Sequence, residues 1–305
     1  GGVFADTRSE DLSVPLVDAI LDRTGLAPGD VDDLLWGCAQ QRDEQDNNLA
    51  RVVALLSALG EEVPGATINR WCASSMEAIT RAADAVAAGQ RECLIAGGVE
   101  NMSQVPMDTG SDLHPGLAEL YNVGELQMGM TAEKVAERHD VSREAQDEYA
   151  VRSHRRAAAA TEEGRFAEEI VPIETDEALV ETDEGIRPDT SMAALADLPP
   201  VFAGDGTVTA GNASQVSDGA AATLVTSAAF AEDHGLDVLG RVGDHNVAGV
   251  DPTVMGVGPV PATRGLLERT GQDIEAFDLV ELNEAFASQC LYCRDELGVP
   301  EERFN

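Results

Sequence analysis

Five cysteines, Cys38, Cys72, Cys93, Cys290 and Cys293, hold most of the chemistry open to this sequence. Thiolate is the nucleophilic form of that side chain, so the question is which cysteine has surroundings that favour it. Cys72 stands in Asn69-Arg70-Trp71-Cys72-Ala73-Ser74-Ser75-Met76. Upstream, Ala66-Thr67-Ile68-Asn69 has the β-branched run of a short buried strand. Downstream, Met76, Ile79, Ala83 and Val86 recur at helical spacing with Glu77, Arg81 and Asp84 opposite, so residues 74–88 read as an amphipathic helix that Gly89 ends. At such a junction the unpaired N–H groups and the positive end of the helix dipole favour thiolate. The local pattern alone favours an inert buried cysteine, the usual state of a free thiol. Cys290-Leu291-Tyr292-Cys293 has CxxC spacing, but no second pair completes a zinc set, and on a helix it reads as structural rather than redox-active. An odd number of cysteines without a disulfide framework fits a reducing compartment.

Two other stretches hold candidate groups. Asn283-Glu284-Ala285-Phe286-Ala287 follows Leu279-Val280-Glu281-Leu282, which reads as a strand. Polar groups at the C-terminal edge of a strand suit a site in an α/β protein. Taken alone, though, Asn283 reads as a helix cap. Gly204 to Ser214 is rich in small residues, and Asp218-Gly219-Ala220-Ala221-Ala222 begins another close-packed element. Small residues admit a ligand or a second backbone, and they also make tight turns. Of the histidines, His139 and His154 lie in polar helical sequence and read as solvated, while His114 and His245 read as structural. None can be paired with Cys72 from spacing.

The elements that must position these groups alternate. A helix is expected over residues 9–24, with Leu12, Leu16, Ile20 and Leu21 on one face and Gly25 as its stop. A strand follows at Leu34-Leu35-Trp36, a helix over 47–59, the strand before Cys72 and the helix after it, then a strand Cys93-Leu94-Ile95-Ala96 closing on Gly97-Gly98. Such alternation implies α/β layers. Ile20-Leu21-Asp22-Arg23-Thr24-Gly25 is echoed by Leu266-Leu267-Glu268-Arg269-Thr270-Gly271, each followed by an Asp and a strand-like run, which suggests an internal duplication. Residues 108–215 break the pattern with polar helices around 131–139 and 142–164, and read as a large insertion, a natural substrate cover.

The chain of 305 residues can hold about two structural units. An apolar share of 43% fits a globular protein, and the 4% aromatic share implies a core of Ala, Val, Leu and Ile. Net charge is −36, spread over all three thirds of the chain, and Lys134 is the only lysine. That surface suits high salt, where self-repulsion is screened within a few ångströms, and so a halophilic cytoplasm. It argues against nucleic-acid or anionic-membrane partners, which need basic patches. No run of about 18 apolar residues and no basic-plus-apolar leader is present.

Together these segments resemble the thiolase family. The residues that carry the likeness are Asn69 to Met76, Gly97-Gly98-Val99-Glu100-Asn101-Met102-Ser103, Met128-Gly129-Met130-Thr131-Ala132-Glu133, Gly206 to Ser214 with Asp218 to Ala221, and Asn283 to Ala287. Trp36 to Gln41, Leu113 to Leu117 and Gly256 to Pro261 look most like the degradative 3-ketoacyl-CoA thiolases, and Gln127 stands where biosynthetic relatives often have histidine.

The resemblance implies an α/β thiolase fold, with duplicated halves in a five-layered αβαβα core and an inserted loop domain. Residues 1–107 and 216–234 would form the N-terminal half, 108–215 the loop domain and 235–305 the C-terminal half. It implies Cys72 as the nucleophile that becomes acylated and Asn283 as the holder of an oxyanion-hole water. Ser214 and Ala210 would line the pantetheine tunnel, Arg187 and Phe202 would contact coenzyme A, and Met128 would floor the acyl pocket. Coenzyme A would be a co-substrate, with no permanently bound cofactor and no metal. Acyl-CoA substrates, a homodimer or homotetramer, and a partner enzyme supplying ketoacyl-CoA are further implications. Family members also carry a Gly-His-Pro motif whose histidine activates the nucleophile and a Cys-x-Gly motif whose cysteine is the acid/base. Neither occurs by Asn305, and the first core strand is not evident after Gly1. The resemblance therefore reads the sequence as cut at both ends and expects residues 1–305 alone to be inactive.

Overall fold

Leu12, Val17 and Leu21 are buried along one side of a helix over Ser9–Thr24 (α1), which ends at Gly25 in the left-handed conformation, φ 69°. The computed structural model describes residues 2–107 and 113–305, so Gly1 and the expected boundary at residues 107 and 108 fall at or outside the described residues. In chain order there follow β1 (Asp33–Gly37), α2 (Leu49–Leu56), β2 (Gly65–Ile68), α3 (Ser74–Ala87), β3 (Cys93–Asn101), α4 (Pro115–Leu120), α5 (Met128–Arg138) and α6 (Arg143–Glu162). The short strands β4 (Ile173–Glu174) and β5 (Leu179–Val180) precede α7 (Met192–Ala196), β6 (Asp218–Thr226), α8 (Ala228–Asp233), α9 (Pro259–Thr270) and α10 (Ala287–Leu297).

The chain separates into two units. The first joins Gly1–Ser111, Glu169–Glu184 and Val216–Gly243, and the second joins Asp112–Glu168, Gly185–Gln215 and Asp244–Asn305. The first holds a four-stranded sheet in the order β2-β1-β3-β6. β1 lies parallel to β2 and β3, while β6 runs antiparallel to β3 over its whole length, from Cys93 opposite Thr226 to Asn101 opposite Asp218. Side chains alternate across this sheet. Leu34, Trp36 and Ile95 join Leu12, Val17, Val53 and Ala54 on one face. Leu94, Ala96 and Val225 meet Ala78 and Ala82 on the other. Both faces are covered, which is why the strands read as continuous apolar runs rather than alternating ones.

Three expectations need correction. β3 does not close on Gly97-Gly98 but runs on to Asn101, because β6 pairs with it throughout. Met76 is 68% exposed and lies outside the core face of α3, which is built instead on Ala78 and Ala82 with Ile79, Ala83 and Val86 beside them. Residues 279–282 form no ladder: a single parallel bridge joins Val280 to Phe304, and Leu279 is exposed.

The second unit is mainly helical. Tyr149 of α6 packs with Ala287, Cys290 and Leu291 of α10 and with Val299 and Phe304. Its α9 repeats the end of α1: Gly271, at φ 68°, caps the helix by donating its N–H to Leu267 O, as Gly25 does to Leu21 O.

Candidate active site

Cys72 is set in a turn between β2 and α3, one residue before the N-cap position at Ala73. Trp71 takes φ 48°, a conformation that costs a bulky side chain energy and must be held from outside. Its neighbours hold it. Asn69 Oδ1 accepts the Trp71 N–H at 2.8 Å, and Asn69 Nδ2 donates to Ala39 O at 2.9 Å. Ser74 Oγ accepts the Arg70 N–H and donates to Trp71 O. The Glu77 carboxylate binds Arg70 through two nitrogens at 2.6 and 2.8 Å and Arg81 Nε at 2.8 Å. Those arginines, Arg70 first, push the Glu77 pKa down to about 2.

The start of α3 rests directly on the ends of β1 and β3. A Cβ at Gly37 would lie 2.4 Å from the Ser75 nitrogen and 2.5 Å from the Ser74 carbonyl carbon, and one at Gly98 would lie 2.2 Å from Ser75 Oγ. Only glycine lets the helix seat there. Among the described residues, neither the sulfur nor the N–H of Cys72 has a hydrogen-bond partner.

All five cysteines are free, and Cys72 alone is exposed. Burial pushes the Cys38, Cys93, Cys290 and Cys293 thiols up to about 12, which leaves them protonated and unreactive at neutral pH. The structural reading of the CxxC pair agrees with its bonding, since Cys290 Sγ donates to Asn283 O and Cys293 Sγ to Gly256 O.

The other expected site residues, Met128, Arg187, Phe202, Ala210, Ser214 and Asn283, belong to the second unit. Several of them converge. The segment at Ala213 pairs with Phe286 through an antiparallel bridge, the Ser214 N–H donates to Ala285 O at 2.9 Å, and the Ala287 N–H donates to Asn212 O at 2.9 Å. Half-buried Met128, Ala213 and Ala285 pack against the cluster of Ala132, Val208 and Phe286. Phe202 stands edge-on to Phe286, with ring centres 6.1 Å apart, and its own ring fills the space over Gly129. Ala210 and Ser214 are exposed on the loop that Glu133 and Asp147 anchor: Glu133 accepts the Thr207 and Val208 N–H groups, and Asp147 accepts Asn212 Nδ2.

The Arg187 N–H donates to His154 Nδ1 at 3.2 Å. His154 is half-buried rather than solvated, and burial first, then Arg187, lowers its pKa. Three other histidines are occupied locally: His139 stacks on Tyr292, His234 on Phe230, and His114 caps α4 by accepting the Gly116 N–H. Asn283 is not a cap. α10 begins at Ala287 with Phe286 as its N-cap, and the Asn283 side chain has no partner among the described residues.

Sequence reasoning missed Tyr149, Ser153 and Asn305, whose side chains gather on Glu284 beside Asn283. They lie 135, 131 and 21 residues from Glu284 along the chain, so no local pattern marks them. No group of three or more His, Cys, Asp or Glu side chains gathers for a metal ion among the described residues. No helix among them is long and apolar enough to cross a membrane.

Comparison with known proteins identifies the family. The family described as thiolase, N-terminal domain, matches residues 1–229, and that described as thiolase, C-terminal domain, matches residues 236–305. The chain is 49% identical over 306 residues to a 3-ketoacyl-CoA thiolase of Pseudoalteromonas translucida (strain TAC 125), covering 98% of this chain and 79% of that protein. It is also 49% identical over 315 residues to a 3-ketoacyl-CoA thiolase of Aeromonas salmonicida (strain A449), covering 100% of this chain and 81% of the relative. Among solved structures, the Bacillus anthracis acetyl-CoA acetyltransferase superposes with a TM-score of 0.89 at 39% identity, over 100% of this chain and 81% of the other.

Proposed function

The chain belongs to the thiolase family and has its fold, and from that premise we propose that it cleaves 3-ketoacyl-CoA with coenzyme A to acetyl-CoA and a shortened acyl-CoA. The observation that carries this reading is Cys72, the one exposed thiol of five, left without a partner on the turn into α3. Its thiolate attacks the 3-keto carbon. The carbon–carbon bond then breaks, acetyl-CoA leaves as a carbanion that takes up a proton, and the acyl group stays on Sγ. Coenzyme A thiolate attacks that thioester and regenerates Cys72. Negative charge develops on the ketone or thioester oxygen in both halves, and oriented donors lower both barriers. One donor is a water held by Asn283, the other the N–H of Cys72. Ala210 and Ser214 line the pantetheine path, Arg187 and Phe202 contact coenzyme A, and Met128 floors the acyl pocket. The base that receives the Cys72 proton is not assigned to any histidine described above.

Residues 1–107 and 216–234 then form one thiolase half and 235–305 the other, with 108–215 as a loop domain. Coenzyme A is a co-substrate, no cofactor or metal is held permanently, and nucleic acid and membrane are not partners. A homodimer or homotetramer in the cytoplasm of a halophile, served by an enzyme that delivers 3-ketoacyl-CoA, suits the acidic, lysine-poor surface. The test is acylation of Cys72 by radioactive acyl-CoA followed by release on adding coenzyme A. Binding of coenzyme A without labelling would instead indicate a non-catalytic acyl-CoA-binding protein.

A second reading, acetyl-CoA C-acetyltransferase running toward acetoacetyl-CoA, draws on the likeness to the Bacillus anthracis acetyltransferase. Thiolysis confined to acetoacetyl-CoA would favour it, and faster turnover of longer ketoacyl-CoAs would reject it.

A further inference from the structure

Asn283 is the free member of a stretch that is otherwise pinned residue by residue. Leu282 is held as a strand neighbour would hold it: its N–H donates to Asn305 Oδ1 at 2.8 Å and its carbonyl accepts Asn305 Nδ2 at 2.8 Å. The Asn283 carbonyl accepts the Cys290 thiol at 3.6 Å. The Glu284 carboxylate accepts Tyr149 Oη at 2.7 Å, Asn305 Nδ2 at 3.0 Å and the Ser153 hydroxyl. Asn305 Nδ2 also reaches Tyr149 Oη at 2.9 Å, which closes the network on itself.

The anchors are firm. Tyr149 is 4% exposed, Cys290 is fully buried, and both sit in the cluster with Leu291, Val299 and Phe304. Burial raises the pKa of the Tyr149 hydroxyl and takes the Cys290 thiol to about 12, so both remain protonated donors at neutral pH. The Asn283 amide is thus an exposed, unpartnered polar group on a backbone fixed at the residue before it, at its own carbonyl and at the residue after it.

We infer that Tyr149, Glu284, Cys290 and Asn305 are positioning residues that set the direction of the Asn283 amide. This rests on the oxyanion role proposed for Asn283. An oriented donor lowers a barrier because it need not reorganise when charge appears, and a shift of about 1 Å can forfeit on the order of 10²-fold in rate. Glu284 takes three donors on one carboxylate, and Asn305 ties that carboxylate to Leu282. Loss of either therefore frees the backbone on one side of Asn283 without touching substrate.

Kinetics on the protein as its gene encodes it decide the matter. Asn283→Ala should lower kcat for thiolysis by about 10²–10³-fold, as expected for an oxyanion-hole group. Glu284→Gln puts an amide donor against the Asn305 amide and should lower kcat about tenfold while KM for 3-ketoacyl-CoA changes less than about twofold. Tyr149→Phe should act in the same sense, and Cys290→Ser, which keeps a donor, should restore most of what Cys290→Ala loses.

The readout that a merely structural role would not move is the double mutant. In the Asn283→Ala background, Glu284→Gln should cost nothing further, because its effect passes through Asn283. Multiplying effects would overturn the positioning role. So would normal kcat in both Glu284→Gln and Tyr149→Phe while Asn283→Ala is impaired. Normal kcat in Asn283→Ala would overturn the role of Asn283 and, with it, this inference. Should Glu284→Gln not fold, the Tyr149→Phe and Asn283→Ala pair gives the same decision.

Discussion

The turn that carries Cys72 is strained and tied mainly by its own neighbours, whereas the segment that carries Asn283 is relaxed and tied mainly by residues from far along the chain. Trp71 sits at φ 48°, and the side chains that hold the turn, Asn69, Arg70, Ser74 and Glu77, fall within nine residues of sequence, while Ala39, Gly37 and Gly98 seat it from outside. None of residues 282–284 has positive φ, and their holders are Tyr149, Ser153, Cys290 and Asn305. A nucleophile must change bonding during the reaction, so its sulfur is left free while the backbone beneath it is fixed. A group that only orients a water needs its direction fixed, and that direction comes from packing between distant elements. The first arrangement is therefore written locally and the second is not.

The largest expected effect separates what the two segments do. Cys72→Ala removes the atom proposed to become acylated, so turnover should fall by on the order of 10⁴–10⁶-fold. Labelling by radioactive acyl-CoA should vanish, whereas Asn283→Ala should still label, only more slowly. Persistent labelling of Cys72→Ala would place the nucleophile elsewhere and dissolve the comparison. A smaller effect tests what supports the Cys72 turn. Gly37→Ala would put a Cβ 2.4 Å from the Ser75 nitrogen, against backbone that cannot rotate away. Overpacking of that kind costs about 1–3 kcal/mol or more. The thermal midpoint should drop by several degrees, and kcat should fall with it as the start of α3 lifts from the sheet. A normal midpoint would mean that the turn does not depend on this close approach.

The same contrast explains what could be read from the sequence. The helices at Ser9–Thr24 and Ser74–Ala87 and the strands at Asp33–Gly37 and Gly65–Ile68 follow local periodicity and lie where it places them. The echo between residues 20–25 and 266–271 extends to single hydrogen bonds. Thr24 Oγ1 donates to Ile20 O at 2.6 Å and Thr270 Oγ1 to Leu266 O at 2.9 Å, and a 3₁₀ turn follows each glycine cap. The echo stops at the next element. Residues 33–37 have a strand on either side, while the backbone of residues 279–282 meets only residues 303–305 among the described residues, and a strand is defined by its neighbours rather than by its own residues. Met76 fails for a similar reason. Its spacing fits the apolar face of α3, but the close seat of that helix on the sheet admits Ala78 and Ala82 and leaves the longer side chain outside. The proposal of Cys72 and Asn283 as site residues comes from motif resemblance, and neither the exposure of one nor the anchoring of the other is written in adjacent sequence.

The smallest expected effect sharpens the claim that the Cys72 turn is held by its own charges. Glu77 has a folded pKa of about 2, against an ordinary value of 4.5, because Arg70 and Arg81 bind its carboxylate. Its contribution to stability is therefore present above about pH 4.5 and is lost as the pH falls toward 2. Both arginines are largely exposed, so solvent screening limits that contribution to below about 1 kcal/mol. Glu77→Gln should lower the thermal midpoint slightly at pH 7, and the gap to the parent protein should close on acidification. Salt separates this local effect from the surface as a whole. Molar KCl should raise the midpoint of both proteins by relieving repulsion among the net −36 charges, and at the same time narrow the gap between them by screening the Arg70–Glu77–Arg81 cluster. A gap that persists undiminished in molar KCl or below about pH 2 would show that Glu77 acts through packing rather than charge. The turn would then be held by shape, as the Asn283 segment is.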